Sequence, residues 1–259
     1  GSTILRDIEG LPKCMNFWRC LTHWVGGMGV LVFVMAVLPL SNKNSMFLMR
    51  AEIPGPTCDK LVPKARTTAR ILYTMYLGLS VAEVIFLLAG DMNLYQAVIH
   101  TFSTAGTGGF SDRNASVAAF NSAYIDGVIT VFMLLFGINF NLYFLLLMKN
   151  VKGFFKNEEL RNYLGIVAAA IVLITINIMN LYGGVLHAFR YAAFQVVSVI
   201  TTTGFVTANF DLWPEFSKTI LLMLMVVGAC AGSTGGGMKV SRIMILGRTI
   251  TKETRQILH

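Results

Sequence analysis

The chain has 259 residues, 55% of them hydrophobic and only 13% charged, with a mean hydropathy of +0.64. Soluble domains carry about a quarter charged residues, so this composition excludes a water-soluble enzyme, a disordered chain, a collagen-like repeat and a nucleic-acid-binding module. The net charge of +8 must be located along the chain before it is interpreted.

The first residues, Gly1-Ser2-Thr3, lack the basic flank and apolar core of a signal peptide and read as the interior of something longer. Five runs then approach the roughly 20 apolar residues that cross a bilayer: Phe17 to Leu40, Ile71 to Gly90, Tyr124 to Met148, Tyr163 to Tyr182, and Phe216 to Leu246 with an interruption. Two shorter segments, Leu94 to Thr104 and His187 to Ile200, each follow a span and lead into a Gly/Thr-rich run. They are expected to be half-helices that enter the membrane and turn back. The predicted fold class is therefore an all-α polytopic membrane protein of repeated span, pore-helix and span units, with about five transmembrane helices and two re-entrant half-helices.

Basic residues fall between the spans. Lys43, Arg50, Lys60, Lys64, Arg66 and Arg70 follow the first, Lys149, Lys152, Lys156 and Arg161 follow the third, and Arg248, Lys252 and Arg255 occupy the tail. By the positive-inside rule these three segments are cytoplasmic, which places both half-helices on the outer side. The positive charge is thereby explained as topology, and no nucleic-acid partner is expected. Cys14, Cys20, Cys58 and Cys230 show no CxxC spacing and are expected to be unpaired structural residues.

The chain also repeats itself. A shift of 95 positions lays Ala97 on Ala192, Ser103 on Ser198, Thr107 on Thr202, Gly109 on Gly204, Phe110 on Phe205 and Asn114 on Asn209. Membrane transport folds are commonly assembled from such repeats around a central pathway. The expected organisation is residues 1–40 as the end of a first filter and second span of unit 1, 41–70 as a basic cytoplasmic linker, 71–148 as unit 2, 149–162 as a second linker, and 163–259 as unit 3 with its tail.

The loops after the half-helices, Ser103 to Phe110 and Ile200 to Phe205, carry the expected chemistry. Irregular backbone at membrane depth persists only where protein or water surrounds it, so these loops should line a cavity. Carbonyls there replace the hydration shell of a cation, with Gly allowing φ > 0 so that successive carbonyls turn inward. Oxygen donors without a carboxylate suit a monovalent ion; Asp112 and Asp211 sit beyond the loops, placed to attract cations to a mouth. The plainer alternative is a small-residue turn that lets helices pack closely, but its recurrence in register favours a filter.

The fifth span is broken by Gly228-Ala229-Cys230-Ala231-Gly232-Ser233-Thr234-Gly235-Gly236-Gly237-Met238-Lys239. Each Gly costs about 1 kcal/mol of helix propensity, so this run should unwind within the membrane beneath the filter. There it is positioned to obstruct the pathway and move aside, with Lys239 toward the inner vestibule or cytoplasm; a packing seam is the alternative. No phosphate loop is present, because Gly-Lys-Ser/Thr is missing. Ser233 is preceded two positions earlier by Ala231 rather than the Gly of a nucleophile elbow. An intramembrane hydrolase therefore has no candidate catalytic residue. Glu83 and Asp126 lie within or at the edge of apolar runs, where charge is expensive, and are open to either a functional role or structural pairing. His23, His100 and His187 have no metal spacing and are expected at helix ends or interfaces.

Several segments together resemble the TrkH family, the membrane subunits of bacterial Trk potassium uptake systems within the Trk/Ktr/HKT superfamily. They are Phe17-Trp18-Arg19, Thr22 to Gly29, Ala51 to Pro56, Ser103 to Phe110, Thr201 to Phe205, and Ala229 to Lys239. The resemblance covers nearly the whole chain. It implies four such units around one K⁺ pathway in a plasma-membrane homodimer served by a cytoplasmic, nucleotide-binding, TrkA-like regulatory subunit. It implies that Gly109 and Gly204 are filter glycines of the second and third units, with Gly1 that of the first. The filter set is then Gly1, Thr107, Gly108, Gly109, Thr201, Thr202, Thr203 and Gly204, with K⁺ as the transported ion and no organic cofactor. The same resemblance makes Gly232, Ser233, Thr234, Gly235, Gly236, Gly237 and Lys239 the gating loop. The front of unit 1 and all of unit 4 are missing from this pattern, so the sequence reads as an internal fragment. K⁺ and Na⁺ remain alternatives at this stage, with glycine at the filter positions favouring the larger ion.

Overall fold

The computed structural model describes residues 7–29 and 65–258. Gly1, Cys58 and the later part of the first expected span lie outside them. The first helix, α1 (Lys13–Gly27), opens at Pro12 and closes where the Met28 N–H donates to Gly26 O. Next come α2 (Ala65–Leu88) and the half-helix α3 (Leu94–Ala105), whose first turn is capped by the Asn93 side chain accepting from the Gln96 N–H. Then follow α4 (Ala123–Phe136), α5 (Phe140–Leu147), α6 (Val151–Lys156) and α7 (Glu158–Ile178). The half-helix α8 (Val185–Ile200) precedes α9 (Glu215–Val227) and α10 (Val240–Leu258).

Asparagine starts four of these helices. Asn93, Asn139, Asn150 and Asn157 each accept a backbone N–H of the first turn, which satisfies a donor that has no intrahelical partner. In an apolar surrounding such a donor has no water to turn to, so short polar caps decide where helices begin.

Both half-helices are packed among neighbouring helices. The shorter, α3, packs on α1, α2 and α4, while α8 packs on α7, α4 and α9. Accordingly α3 buries eight of its twelve residues and α8 nine of sixteen, whereas α2 and α7 leave Ile85, Phe86, Val172 and Ile176 exposed along an outer face. Buried half-helices inside a ring of helices with apolar outer faces are the arrangement that the membrane-type patterning predicts. Among the described residues, two helices are long and apolar enough to cross a membrane, Ala69–Leu88 and Glu158–Ile178.

The expected span Tyr124 to Met148 is a bent pair rather than one helix: α4 and α5 meet at 91°. The chain turns at Gly137-Ile138-Asn139. Gly137 ends α4, its carbonyl accepts the Cys230 N–H at 3.1 Å, and Asn139 caps α5. The Phe140 N–H in turn donates to Gly232 O at 3.0 Å. The bend is therefore held by the Gly-rich run of the other repeat, a long-range partner that local hydrophobicity does not reveal. The fifth expected span divides into α9, the Gly-rich break and α10; at 1.5 Å per residue the thirteen residues of α9 reach only about 20 Å.

The in-span acid Asp126 is paired. Its Oδ2 lies 2.7 Å from Arg190 Nε of α8, which ties the two repeats together near their helix starts. Glu83 differs: it is fully buried on α2, and neither carboxyl oxygen has a hydrogen-bond partner among the described residues.

Candidate functional site: two Thr/Gly loops and the Gly-rich break

The two loops have the same backbone. After α3, the N–H groups of Gly106 and Thr107 donate to Phe102 O and Thr104 O, and those of Gly108 and Gly109 both reach Ser103 O. After α8, Thr201 and Thr202 donate to Val197 O and Val199 O, and Thr203 and Gly204 both reach Ser198 O. Every pair is displaced by the same 95 positions found in the sequence. The dihedrals match as well: φ is +53° at Thr107 and +65° at Gly109, against +59° at Thr202 and +85° at Gly204. Positive φ thus falls at every second residue, 107 and 109 in one loop and 202 and 204 in the other, each series following a right-handed residue at Gly106 or Thr201. A left-handed conformation costs an L-residue about 1–2 kcal/mol, so paying it at two threonines marks an imposed geometry.

The loops also touch. A Cβ placed on Gly109 would run into Thr203 O and lie 2.9 Å from the Gly204 carbonyl carbon and 3.1 Å from the Phe205 N. Gly109 is required there twice over, by its φ and by the neighbouring backbone. At Gly204 the described residues leave open space around the same atom, so its φ of +85° alone calls for glycine.

Behind the loops sits His100, in the middle of α3 rather than at a helix end. It is fully buried, with Nδ1 2.8 Å from Gln96 O and Nε2 3.0 Å from Ser111 Oγ. A carbonyl only accepts, which assigns the proton to Nδ1 and makes Ser111 the donor to Nε2. The ring stacks on Phe205 at 5.8 Å, so the half-helix of one repeat braces the loop of the other. Its counterpart under the 95-residue shift is Gln195, which is likewise buried. The His23 Nδ1–H donates to Gly106 O at 3.0 Å, which places α1 against the first loop.

The Gly-rich break lies directly beneath. Its residues 228, 232, 237 and 239 have positive φ, so the run is unwound, as the sequence predicts. The Thr202 hydroxyl accepts the Gly236 N–H at 2.7 Å, and the Thr107 hydroxyl lies 3.1 Å from Thr234 O. The break therefore contacts the inner end of both loops through the two left-handed threonines. It also borders two cavities. One, of about 450 Å³, is lined by Gly106, Thr107, Thr202, Thr234 and Gly236 among others; the second, of about 200 Å³, is lined by Phe140, Asn141, Gly232 to Gly235 and Lys239. Lys239 is buried, with its ammonium turned back onto Gly235 O, and lines the smaller cavity.

Asp112 and Asp211 flank the loops at their far ends. Asp112 Oδ2 accepts from Gln96 Nε2 at 3.0 Å, and Asp211 lies in the short turn after Asn209. Cys14, Cys20 and Cys230 are free thiols, and no cluster of metal-ligating side chains occurs among the described residues.

Buried half-helices, paired irregular loops at their ends and an unwound helix beneath define a polytopic membrane protein of the kind that forms a transport pathway. Comparison with known proteins gives the family. The family model TrkH, described as cation transport protein, matches residues 1–259, and the chain belongs to that family. It is 38% identical over 263 residues to the Trk system potassium uptake protein TrkH of Salmonella typhimurium and 39% identical over 266 residues to that of Vibrio parahaemolyticus. Those alignments take in all of this chain and 54% and 55% of the relatives, so the chain spans about half their length. The crystal structure of the potassium transporter TrkH from Vibrio parahaemolyticus superposes with a TM-score of 0.85 at 33% identity, over 100% of this chain and 53% of that one. The chain is accordingly a multi-pass membrane protein, and its family consists of transporters, not enzymes.

Proposed function

We propose that the chain forms the central part of a K⁺ uptake pathway, with the loops at Thr107, Gly108, Gly109 and Thr201 to Gly204 as two walls of a carbonyl filter. The observation that carries this reading is the duplicated loop backbone, matched bond for bond and in contact at Gly109 and Thr203. Positive φ at every second residue turns successive carbonyls toward one side, where they take the place of water around a dehydrated ion. Gly1 is assigned to a further wall of the same filter by family resemblance and lies outside the described residues. Residues 71–148 and 163–259 are then the second and third units, and 41–70 and 149–162 the cytoplasmic linkers.

The Gly232 to Gly237 run is the gate in this reading. Support comes from its contacts with both threonine hydroxyls and from its place between two cavities. Moving it aside means exchanging those contacts and its own turn for others, and its four glycines present no side chain to extract. Relatives named as uptake proteins of a Trk system imply further subunits, and we assign a cytoplasmic, nucleotide-binding, TrkA-like regulator and a second copy of the chain as partners in the plasma membrane.

The test is Rb⁺ and Na⁺ uptake into proteoliposomes holding the longest reading frame that contains this chain. Saturable Rb⁺ entry that K⁺ competes away and Na⁺ does not is the expected result; Na⁺ entry with the same saturation reverses the selectivity. Deleting Gly235 to Gly237 is expected to raise basal flux and weaken control by the partner, and normal flux with normal control refutes the gate.

A further inference from the structure

The Gly-rich break has two limbs, and their backbone donors can be accounted for one by one. On the entering limb, the Cys230 N–H goes to Gly137 O and the Ala231 N–H to Glu159 Oε1 at 2.7 Å. On the leaving limb, Met238 donates to Val226 O and Val240 to Ala229 O, while Ser241 donates to the same Glu159 Oε1 at 3.3 Å. Arg242 and Ile243 close onto Lys239 O. Among the described residues, Glu159 is thus the one side chain that bonds both limbs.

Its position suits the task. Ser241 lies in the first turn of α10, whose amides have no intrahelical acceptor, and an acidic group at a helix start is favoured by the helix dipole. Glu159 itself projects from the first turn of α7, which is anchored by the Asn157 cap. The adjacent Glu158 reaches Arg248 of α10 at 2.5 Å, with both side chains about two-thirds exposed. Within one turn of α7, then, one acid grips the break from inside and its neighbour grips the following helix from outside.

We propose that Glu159 is the positioning residue that pins the Gly-rich break beneath the loops, by holding its entry and its exit at one carboxyl oxygen. The proposal rests on the gating reading above. With both ends pinned, the middle of the break (Thr234, Gly235 and Gly236) is presented to Thr107 and Thr202. Releasing Glu159 leaves the entering limb held by the main chain around Gly137 and removes the side-chain link between the two limbs, so that the Val240 N–H to Ala229 O bond joins them without it.

The experiment compares Glu159→Ala, Glu159→Gln, Glu158→Ala and the Gly235 to Gly237 deletion, each in the longest reading frame and reconstituted without the cytoplasmic partner. Glu159→Ala is expected to raise basal Rb⁺ flux about tenfold, equivalent to 1.4 kcal/mol, with an unchanged Rb⁺ to Na⁺ ratio because the loops are untouched. Glu159→Gln retains an acceptor oxygen and is expected to restore flux near that of the parent; Glu158→Ala, which loses only an exposed pair, is expected to match the parent. If the deletion raises flux and Glu159→Ala does not, the pin is refuted while the gate stands. If neither raises flux, the gating reading falls and the pin with it. Should Glu159→Ala fail to accumulate in membranes, Glu159→Asp decides the matter: one methylene shorter, it is expected to leak more than Glu159→Gln, and equal flux in those two overturns the proposal.

Discussion

Gly109→Ala is the sharpest perturbation that the structure offers. The new methyl group would enter a backbone position at φ +65° and meet Thr203 O, with the Gly204 carbonyl carbon 2.9 Å away. The left-handed conformation costs alanine about 1–2 kcal/mol, and overpacking against an unyielding neighbour adds about 1–3 kcal/mol. The combined cost is about 2–5 kcal/mol, and the obstacle is main chain, which cannot rotate away. The strain is expected to be relieved by separating the two loops, lowering thermal stability in detergent and reducing Rb⁺ over Na⁺ discrimination in liposome flux. Gly127→Ala serves as the control: it lies within α4, has nothing within 4 Å of its would-be Cβ, and gains about 1 kcal/mol of helix propensity. A Gly109→Ala protein with parental melting temperature and parental ion ratio would refute the contact between the loops as a determinant of either property.

Two other outcomes are expected. Gly204→Ser in the longest reading frame should reduce K⁺ over Na⁺ discrimination, and unchanged selectivity in ion-replacement flux removes Gly204 from the filter. Asp126→Leu leaves Arg190 without its partner and should cost about 3 kcal/mol, near the low end for a buried pair because Arg190 keeps 21% of its side chain exposed; adding Arg190→Met should recover most of that loss in thermal unfolding, and a double variant no better than the single one rejects the pairing as the cause.

Much of the molecule was legible in its sequence because the repeat preserves the residue types that the backbone needs. Gly109 with Gly204 and Thr107 with Thr202 mark the very positions that turn left-handed, and Ser103 with Ser198 mark the carbonyls on which both loops close. The bend at Gly137 to Asn139 was not legible, since Phe136-Gly137-Ile138-Asn139-Phe140 sits inside an apolar run and its stabilising partners, Cys230 and Gly232, are about ninety residues away. The signal present was Asn139 itself, a helix-starting residue in the middle of a presumed span. Glu159 was hidden for a different reason: beside Glu158 and after a basic linker it has the sequence context of a solvated helix start, and only the fold brings the break to it. His100 was misplaced because a lone histidine carries no periodic signal, whereas its value comes from Phe205 of the other repeat.

The meeting of Gly109 with Thr203 and Gly204 has a consequence for how such a duplicated chain is free to change over time. Where two copies of a segment abut through main chain alone, no side chain lies between them to absorb a change in either. A mutation that shifts one copy is transmitted at once to its twin, and compensation has to arise in the other half of the sequence. The two copies are therefore bound to drift in step at these few positions, even as the helices that carry them diverge in length, bend and surface.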